Sequence, residues 1–443
     1  MRSIRLIGAL AGSLAFAGLV SADVPGTITR LSTGGTTSSQ NSPAISGTQV
    51  IWTDVSDPAN FDIYLYEITA GSGFKLTNTP TEQEFLEDID EGNIVWTHAG
   101  GAVRGDIVLF ETAIGRRTVI ATSTATTSYQ QPAIRGRYVA FLRVAGQIDV
   151  DVYDHVLGIT FPVTNDAAVQ GSPRVGADHV VFEDYSTGNA DIWASPIPGG
   201  PAFLVAGGSD AQITPDIDLN NIVFIQNTAG TDQLFLFDLT TGTTRQLTNV
   251  ASTKIQPRIS RSRIVWADDR NGNLDLYLYD LSTSHEDPLV VGPGDQLLSD
   301  IDGDRVVYTD NTSGFEEIHL FTIEPVTAYS FTGFFAPVNN LPVYNEAKAG
   351  RAIPIKFSLG GDQGLDIFAP GYPSSTLIPC SSSALTDAVE ETVTAGASTL
   401  RYDAAAGLYV YIWKTSDAWA NTCRQFVVRL RDGNYYRANF SFK

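Results

Sequence analysis

The chain has 443 residues, with 49 Asp and Glu against 28 Lys and Arg and a formal net charge of −21. So acidic a balance excludes nucleic acid and anionic membrane surfaces as partners, because phosphate binding needs clusters of Lys and Arg. The length exceeds one ordinary domain, and 40 glycines, 10% aromatic residues and the lack of long helical-period segments indicate an all-β protein.

Residues 1–22 read as a secretory signal. Arg2 and Arg5 give the charged start, Ile7 to Val20 the apolar stretch, and Val20-Ser21-Ala22 a small-residue cleavage site. The stretch is too short and too rich in Gly and Ala for an anchor. The expected mature protein is soluble and exported, to a periplasm or outside the cell.

Seven copies of one pattern follow. Its phase markers are Ile45/Trp52, Ile89/Trp96, Ile134/Phe141, Val175/Phe182, Ile217/Phe224, Ile259/Trp266 and Ile301/Tyr308, at steps of 44, 45, 41, 42, 42 and 42 residues. A repeat of about 40–45 residues built from four short strands marks a propeller blade. In the clearest copy, Pro257-Arg258-Ile259-Ser260 is the first strand and Ile264-Val265-Trp266 lies in the second. Asn271-Gly272 turns the hairpin, and Leu274, Leu276 and Leu278 alternate with polar or amphipathic residues in the third. Runs such as Ile-Val-Trp are apolar on successive residues, so both faces of each sheet are expected to be buried. The seventh copy meets Glu324-Pro325 where its fourth strand is due. Proline cannot donate to a ladder. Arg30-Leu31-Ser32 aligns with the fourth-strand segments Lys75-Leu76-Thr77 and Gln246-Leu247-Thr248, so residues 26–33 are expected to complete the last blade.

Charge divides the chain near Pro325. Residues 23–326 carry 16 Lys and Arg against 40 Asp and Glu, whereas 327–443 carry 10 against 9. The second segment has alternating runs at Tyr329–Phe335, Ile353–Leu359, Leu408–Trp413, Arg424–Leu430 and Tyr435–Phe442, the last two flanking Asp432-Gly433. About seven short strands suggest an immunoglobulin-like sandwich. Cys380 and Cys423 are the only cysteines, and in an exported domain an isolated pair is most simply a disulfide.

The repeats resemble the TolB-like propeller family of microbial envelope proteins. The resemblance rests on Pro-Ala-Ile-Ser-Gly at 43–47, Ile-Val-Trp at 264–266, Asp-Leu-Tyr-Leu-Tyr-Asp-Leu at 275–281 and Gln-Leu-Thr at 246–248. Residues 327–443 resemble the bacterial PxKF domain. They carry Gly-Phe-Phe-Ala-Pro-Val at 333–338, Pro-Ile-Lys-Phe at 354–357 and Thr-Cys-Arg-Gln at 422–425. Together these imply a surface or envelope protein and no particular reaction.

In the strand order that the TolB-like resemblance implies, loops entering the first strand share a channel mouth with loops joining the second strand to the third. One fixed position near that mouth reads Gln40, Glu84, Tyr129, Gln170, Gln212, Lys254 and Gln296. A ring of amides there would hydrogen-bond sugar hydroxyls or a peptide backbone; alternatively, each Gln ties its own blade to the next. Asp269, Asn271, Asn273 and Asp275 are spaced by two, like the first ligands of a calcium loop, although the glycine is misplaced and no closing Glu follows. The same residues also serve as turn devices. His98, His155, His179, His285 and His319 fall at different phases, and neither a His-Glu-x-x-His nor a Gly-x-Ser-x-Gly motif is present. Glu84 with His98 is the first pair to inspect for catalysis.

The sequence therefore predicts a signal at 1–22, a seven-bladed propeller over 23–326 and a sandwich over 327–443. The expected function is non-catalytic recognition of a protein or glycan by a secreted monomer. The alternative is a lyase or glycoside hydrolase acting on polysaccharide.

Overall fold

The structure, a computed structural model, describes residues 24–32, 39–57, 60–101, 103–228, 230–324, 328–365, 367–369, 371–380, 386–388 and 399–443. The expected signal at 1–22 lies outside them. The fold is all-β, and its chain divides into a compact unit spanning 26–323 and another that includes 324–443.

Within 26–323, seven four-stranded antiparallel sheets form among the described residues. In the sixth, Lys254–Ser260, Arg263–Asp268, Asp275–Asp280 and His285–Val290 pair in chain order. Gly272 takes φ +101° in the loop between the second and third strands, a conformation that L side chains rarely adopt. The seventh sheet draws three strands from Gln296–Ile323 and its fourth from Gly26–Arg30. Gly26 lies opposite Ile323 and Arg30 opposite His319, so the chain's two distant segments close one sheet.

The phase-marking aromatics are the buried centre of each sheet: Trp52, Trp96, Phe141, Phe182, Phe224, Trp266 and Tyr308 are all at most 1% exposed. Both faces are covered, as the apolar runs require. Ile51 packs with Ile89, Ile94 and Trp96 of the second sheet. Its neighbours Val50 and Trp52 pack the other way, with Val307, Ile318 and Leu320 of the seventh. Neighbouring sheets thus share apolar seams, where burial contributes roughly 25 cal/mol per Å² of apolar surface.

The first strands carry a feature that sequence periodicity does not show. In every sheet the first pair of strands slips register by one residue, between Asn41 and Ala44 in the first sheet and between Ile255 and Arg258 in the sixth. The bulged residues Ser42, Leu86, Gln131, Ser172, Thr214 and Gln256 have φ between 48° and 55°, and none is glycine. Such bulges bend a strand and re-aim its side chains.

The second unit holds two sheets. One orders Phe334–Phe335, Ala352–Phe357, Leu408–Lys414 and Thr399–Asp403. The other orders Ser374–Ile378, Cys423–Arg429, Tyr435–Phe442, Tyr344–Ala347 and Thr386–Ala388. Ile353, Ile355, Phe357, Trp413, Phe426 and Phe440 build one core from both sheets. Two features differ from the sequence expectation. Of the run 329–335 only Phe334–Phe335 is strand, with Phe331 instead stacked on Tyr436 at 3.6 Å. Tyr344–Ala347 pairs in parallel with both its neighbours, which a pattern of hairpins does not anticipate. Cys380 and Cys423 form a disulfide, with Cα atoms 5.3 Å apart.

Candidate functional site

The first strands of all seven sheets surround one cavity of about 320 Å³, near the lower end of ligand pockets, which run to roughly 300–1,000 Å³. At the position just after each bulge stand Ala44, Asp88, Ala133, Arg174, Asp216, Arg258 and Asp300. Three carboxylates and two guanidiniums therefore share a narrow channel. Arg174 Nε is 3.9 Å from Asp216, and Arg258 donates to the Pro257 carbonyl at 3.0 Å. Burial raises the pKa of Asp88. Burial and then the like charge of Asp88 push Asp300 up to about 7. Burial and the Arg174 charge lower that of Arg258. Beside the ring, burial pushes Glu87 up to about 8, against the hydrogen bond its Oε2 accepts from Thr53 Oγ1 at 2.6 Å.

Several polar atoms lining the channel have no hydrogen-bond partner: Glu87 Oε1, Gln131 Oε1, Thr214 Oγ1, Gln256 Oε1 and Ser299 Oγ. Glu87 and Ser299 are themselves buried. Buried polar groups are nearly always paired with protein, water or ligand, so these atoms are unmet hydrogen-bonding capacity in the channel wall. Two residues further on, Arg135 ion-pairs with Asp218 and lies 3.6 Å from Asp90, bringing charged groups from three sheets together.

The seven residues expected at the channel mouth are not part of this lining. None of Gln40, Glu84, Tyr129, Gln170, Gln212, Lys254 and Gln296 lines this cavity. All but Tyr129 are buried, each opposite a residue of the second strand, as in Gln40 opposite Asp54 and Lys254 opposite Asp268. Several of their polar ends are occupied locally. Gln170 Nε2 donates to Asp184 at 2.8 Å, Gln212 Nε2 to the Asp210 carbonyl at 2.7 Å, and Lys254 Nζ to the Val250 carbonyl at 2.7 Å. Oε1 of Gln212 and Oε1 of Gln296 have no hydrogen-bond partner.

The structure does bring Asp269, Asn271, Asn273 and Asp275 into one loop. Asp275 is fully buried; its carboxylate accepts from Asn271 at 2.8 Å, Asn273 at 3.1 Å and the Gly292 N–H at 3.1 Å. Asn273 also donates to the Gly292 carbonyl at 3.0 Å, and Asp269 accepts the Thr253 N–H at 2.8 Å. Asn189 makes the matching contacts to Gly208 and Asp210 in the fourth sheet.

Glu84 and His98 meet as a buried pair, with Oε1 to Nδ1 at 3.1 Å, and Glu82 Oε2 lies 3.6 Å from Nε2 of the same ring. The other four histidines stand in different places, His179 by Asp178, His285 by Asp287, His319 by Glu317 and His155 on the Gly136 carbonyl.

No protein family and no curated protein matches the chain. Solved structures do. An oligogalacturonate lyase from Vibrio parahaemolyticus superposes with a TM-score of 0.55 at 11% identity, over 69% of this chain and 98% of that one. The β-propeller domain of the Trilobed protease from Pyrococcus furiosus gives 0.52 at 14% identity, over 65% and 96%. TolB from Acinetobacter baumannii gives 0.39 at 14% identity, over 59% and 76%. The fold of the first unit is that of a β-propeller. The Pyrococcus domain is described as having an open velcro topology; in this propeller the strand Gly26–Arg30 pairs with Glu317–Ile323.

Two features of the site went unread in the sequence. The channel ring sits at a fixed place in the repeat, and the triplet Asp-Ile-Asp recurs in phase at 88–90, 216–218 and 300–302. Both were available as columns of the aligned copies.

Proposed function

We propose that this chain is an exported recognition protein. Its seven sheets are the blades of a TolB-like propeller occupying 23–326, its two C-terminal sheets a PxKF-type, immunoglobulin-like sandwich over 327–443, and residues 1–22 a signal that is removed. The disulfide supports an oxidising compartment, periplasmic or extracellular. The observation that carries the functional reading is the central channel, where carboxylates, guanidiniums and unpartnered amide and hydroxyl atoms converge. Such a surface suits a ligand rich in hydroxyls or amides, a glycan or a segment of protein chain. The chain acts as a monomer in this reading.

The test is retention of envelope and culture material by the immobilised mature protein, with sugars and proteins both analysed. The double variant Gln131→Ala/Gln256→Ala removes two channel amides whose Oε1 atoms lack a partner, at positions that are not in the apolar seams. Material held by the wild type and lost from the folded variant supports recognition at the channel. Equal retention by both removes the channel from the reading.

A second reading, an enzyme acting on polysaccharide, is favoured by one observation: the buried Glu84–His98 pair at 3.1 Å, a carboxylate and an imidazole positioned for proton transfer. Release of reducing or ultraviolet-absorbing ends from uronate polymers, abolished in His98→Ala, would carry it. An inert wild type would discard it.

A further inference from the structure

We propose that Glu82, Glu84 and His98 form a binding site for a divalent first-row transition ion of the Zn²⁺ or Mn²⁺ kind. Ligand atoms from all three lie within 4.8 Å of one another, the one such grouping among the described residues. Two adjacent strands build it. Glu82–Asp90 and Asn93–Gly100 are antiparallel, with Glu84 directly opposite His98 and Glu82 opposite Gly100.

The equivalent cross-strand place in other sheets is balanced in charge or capped by an amide. In the sixth sheet it holds Lys254 and Asp268 at 3.5 Å, in the fourth Gln170 and Asp184 at 2.8 Å, and in the seventh Gln296 and Asp310 at 3.3 Å. The second sheet instead places two carboxylates around one imidazole. Thr79 Oγ1 donates to Glu84 Oε1 at 2.7 Å, but Glu84 Oε2 is buried with no partner, in a residue only 1% exposed. A buried carboxylate oxygen without a donor is costly, and even a protonated His98 supplies one positive charge against two negative ones. A divalent cation supplies the missing charge.

The donor set decides the class of ion. An imidazole with carboxylates suits Zn²⁺ or Mn²⁺ better than Ca²⁺, which takes six to eight oxygens. With the ion on Nε2, Nδ1 keeps Glu84 Oε1 at 3.1 Å, the usual arrangement that orients a metal-bound histidine. Access is open on one side. Glu82 is 39% exposed at its side chain, and Gly100 opposite it has no Cβ; one there would stand 2.8 Å from the Glu82 Cα.

The experiment is calorimetric titration of the tag-free, chelator-stripped mature chain with Zn²⁺, Mn²⁺ and Ca²⁺ separately, beside Glu82→Gln and His98→Ala. Glu82→Gln is at the surface and keeps the fold, which far-ultraviolet circular dichroism checks. The proposal expects one equivalent of Zn²⁺ or Mn²⁺, with affinity falling at least about tenfold in both variants. It is overturned if the wild type binds neither ion saturably, if Glu82→Gln binds as tightly as the wild type, or if Ca²⁺ binds best.

Discussion

The carboxylate of Asp300 accepts the backbone N–H of Ile45 at 2.9 Å, although 255 residues separate them. Two residues on, Asp302 accepts the Gly47 N–H at 2.6 Å. The same double clasp joins Asp88 and Asp90 to Ile134 and Gly136, at 2.9 and 2.6 Å, and Asp216 and Asp218 to Ile259 and Arg261, at 2.8 and 2.6 Å. Each Asp-Ile-Asp triplet thus fastens its innermost strand to that of the next sheet, while its isoleucine is buried. The copy at 300–302 fastens the last sheet to the first and reinforces closure of the ring. Losing one such charged acceptor costs about 1–3 kcal/mol. Asp302→Ala is therefore expected to lower the urea midpoint, with Asp302→Asn, which retains an acceptor, in between. An Asp302→Ala midpoint equal to the wild type would show the clasp to be incidental.

The closing strand is held at its end more than along its length. All five residues of Gly26–Arg30 are exposed, whereas Leu31 is 3% exposed and packs with Val307, Ile318 and Leu320 of the seventh sheet and Ile45 and Trp52 of the first. Leu31→Ala is expected to destabilise the propeller by about 2–5 kcal/mol, as buried Leu truncations do. Ile28→Ala, at an exposed site, should change stability by under about 0.5 kcal/mol. Denaturant unfolding of both variants checks the contrast. Equal effects would mean that the strand is held by its ladder alone.

The propeller's outline was legible because its strongest signals are phased. Trp52, Trp96 and their five counterparts recur at nearly constant steps and occupy the same buried position, so periodicity and burial report one fact. The closing strand was legible because Arg30-Leu31-Ser32 repeats a fourth-strand text at a place where the last copy lacks one. The destination of the Gln40 column was not. Gln40 and Ile45 are five apart, and strict alternation places them on opposite faces. The bulge between Asn41 and Ala44 inserts one residue, so Gln40, opposite Asp54, shares a face with Ile45, opposite Val50. Nothing in the local text announces that bulge, since its left-handed residue is Ser42, Leu86 or Gln131 and never the expected glycine. The parallel strand Tyr344–Ala347 escaped for a related reason: alternation gives a strand's faces, not its direction of pairing.

Stability of the propeller is expected to fall as pH rises through neutrality. Asp300 is pushed from 3.8 to about 7 and Glu87 from 4.5 to about 8, both chiefly by burial in the channel wall. Between their ordinary and raised values the folded chain binds more protons than the unfolded chain. The stabilisation is full below about pH 4 and is lost as pH passes 7 and then 8. Asp268 acts in a separate window. Against the cost of burial, hydrogen bonds from Arg270 and Ser252 hold it at about 2, so its contribution fades only in acid. Melting curves at pH 6 and pH 9 should show the lower midpoint at pH 9, and Asp300→Asn with Glu87→Gln should flatten the difference. A wild-type midpoint that rises over this interval would contradict the assignment.

The disulfide staples an edge that little else holds. Among the described residues, strand Ser374–Ile378 pairs only with Cys423–Arg429, Ile378 lies opposite Cys423, and Leu377 is 64% exposed, so the strand contributes little apolar burial. Cys380 follows two residues after Ile378, and Cys423 is 2% exposed within the adjoining strand. The bond closes a loop over a separation of 43 residues, which in the chain-entropy account stabilises by roughly 4 kcal/mol. Reduction, or the double change Cys380→Ser/Cys423→Ser, should lower the melting transition of the second unit and leave that of the propeller in place. Hydrogen exchange should show the amides of 374–378 losing protection first, ahead of Tyr435–Phe442 in the middle of the same sheet. If both thiols titrate as free and neither the transition nor the protection of 374–378 moves, the edge is held by its ladder and by the Tyr344 hydroxyl on the Pro379 carbonyl at 3.1 Å, and the bond is dispensable to the fold.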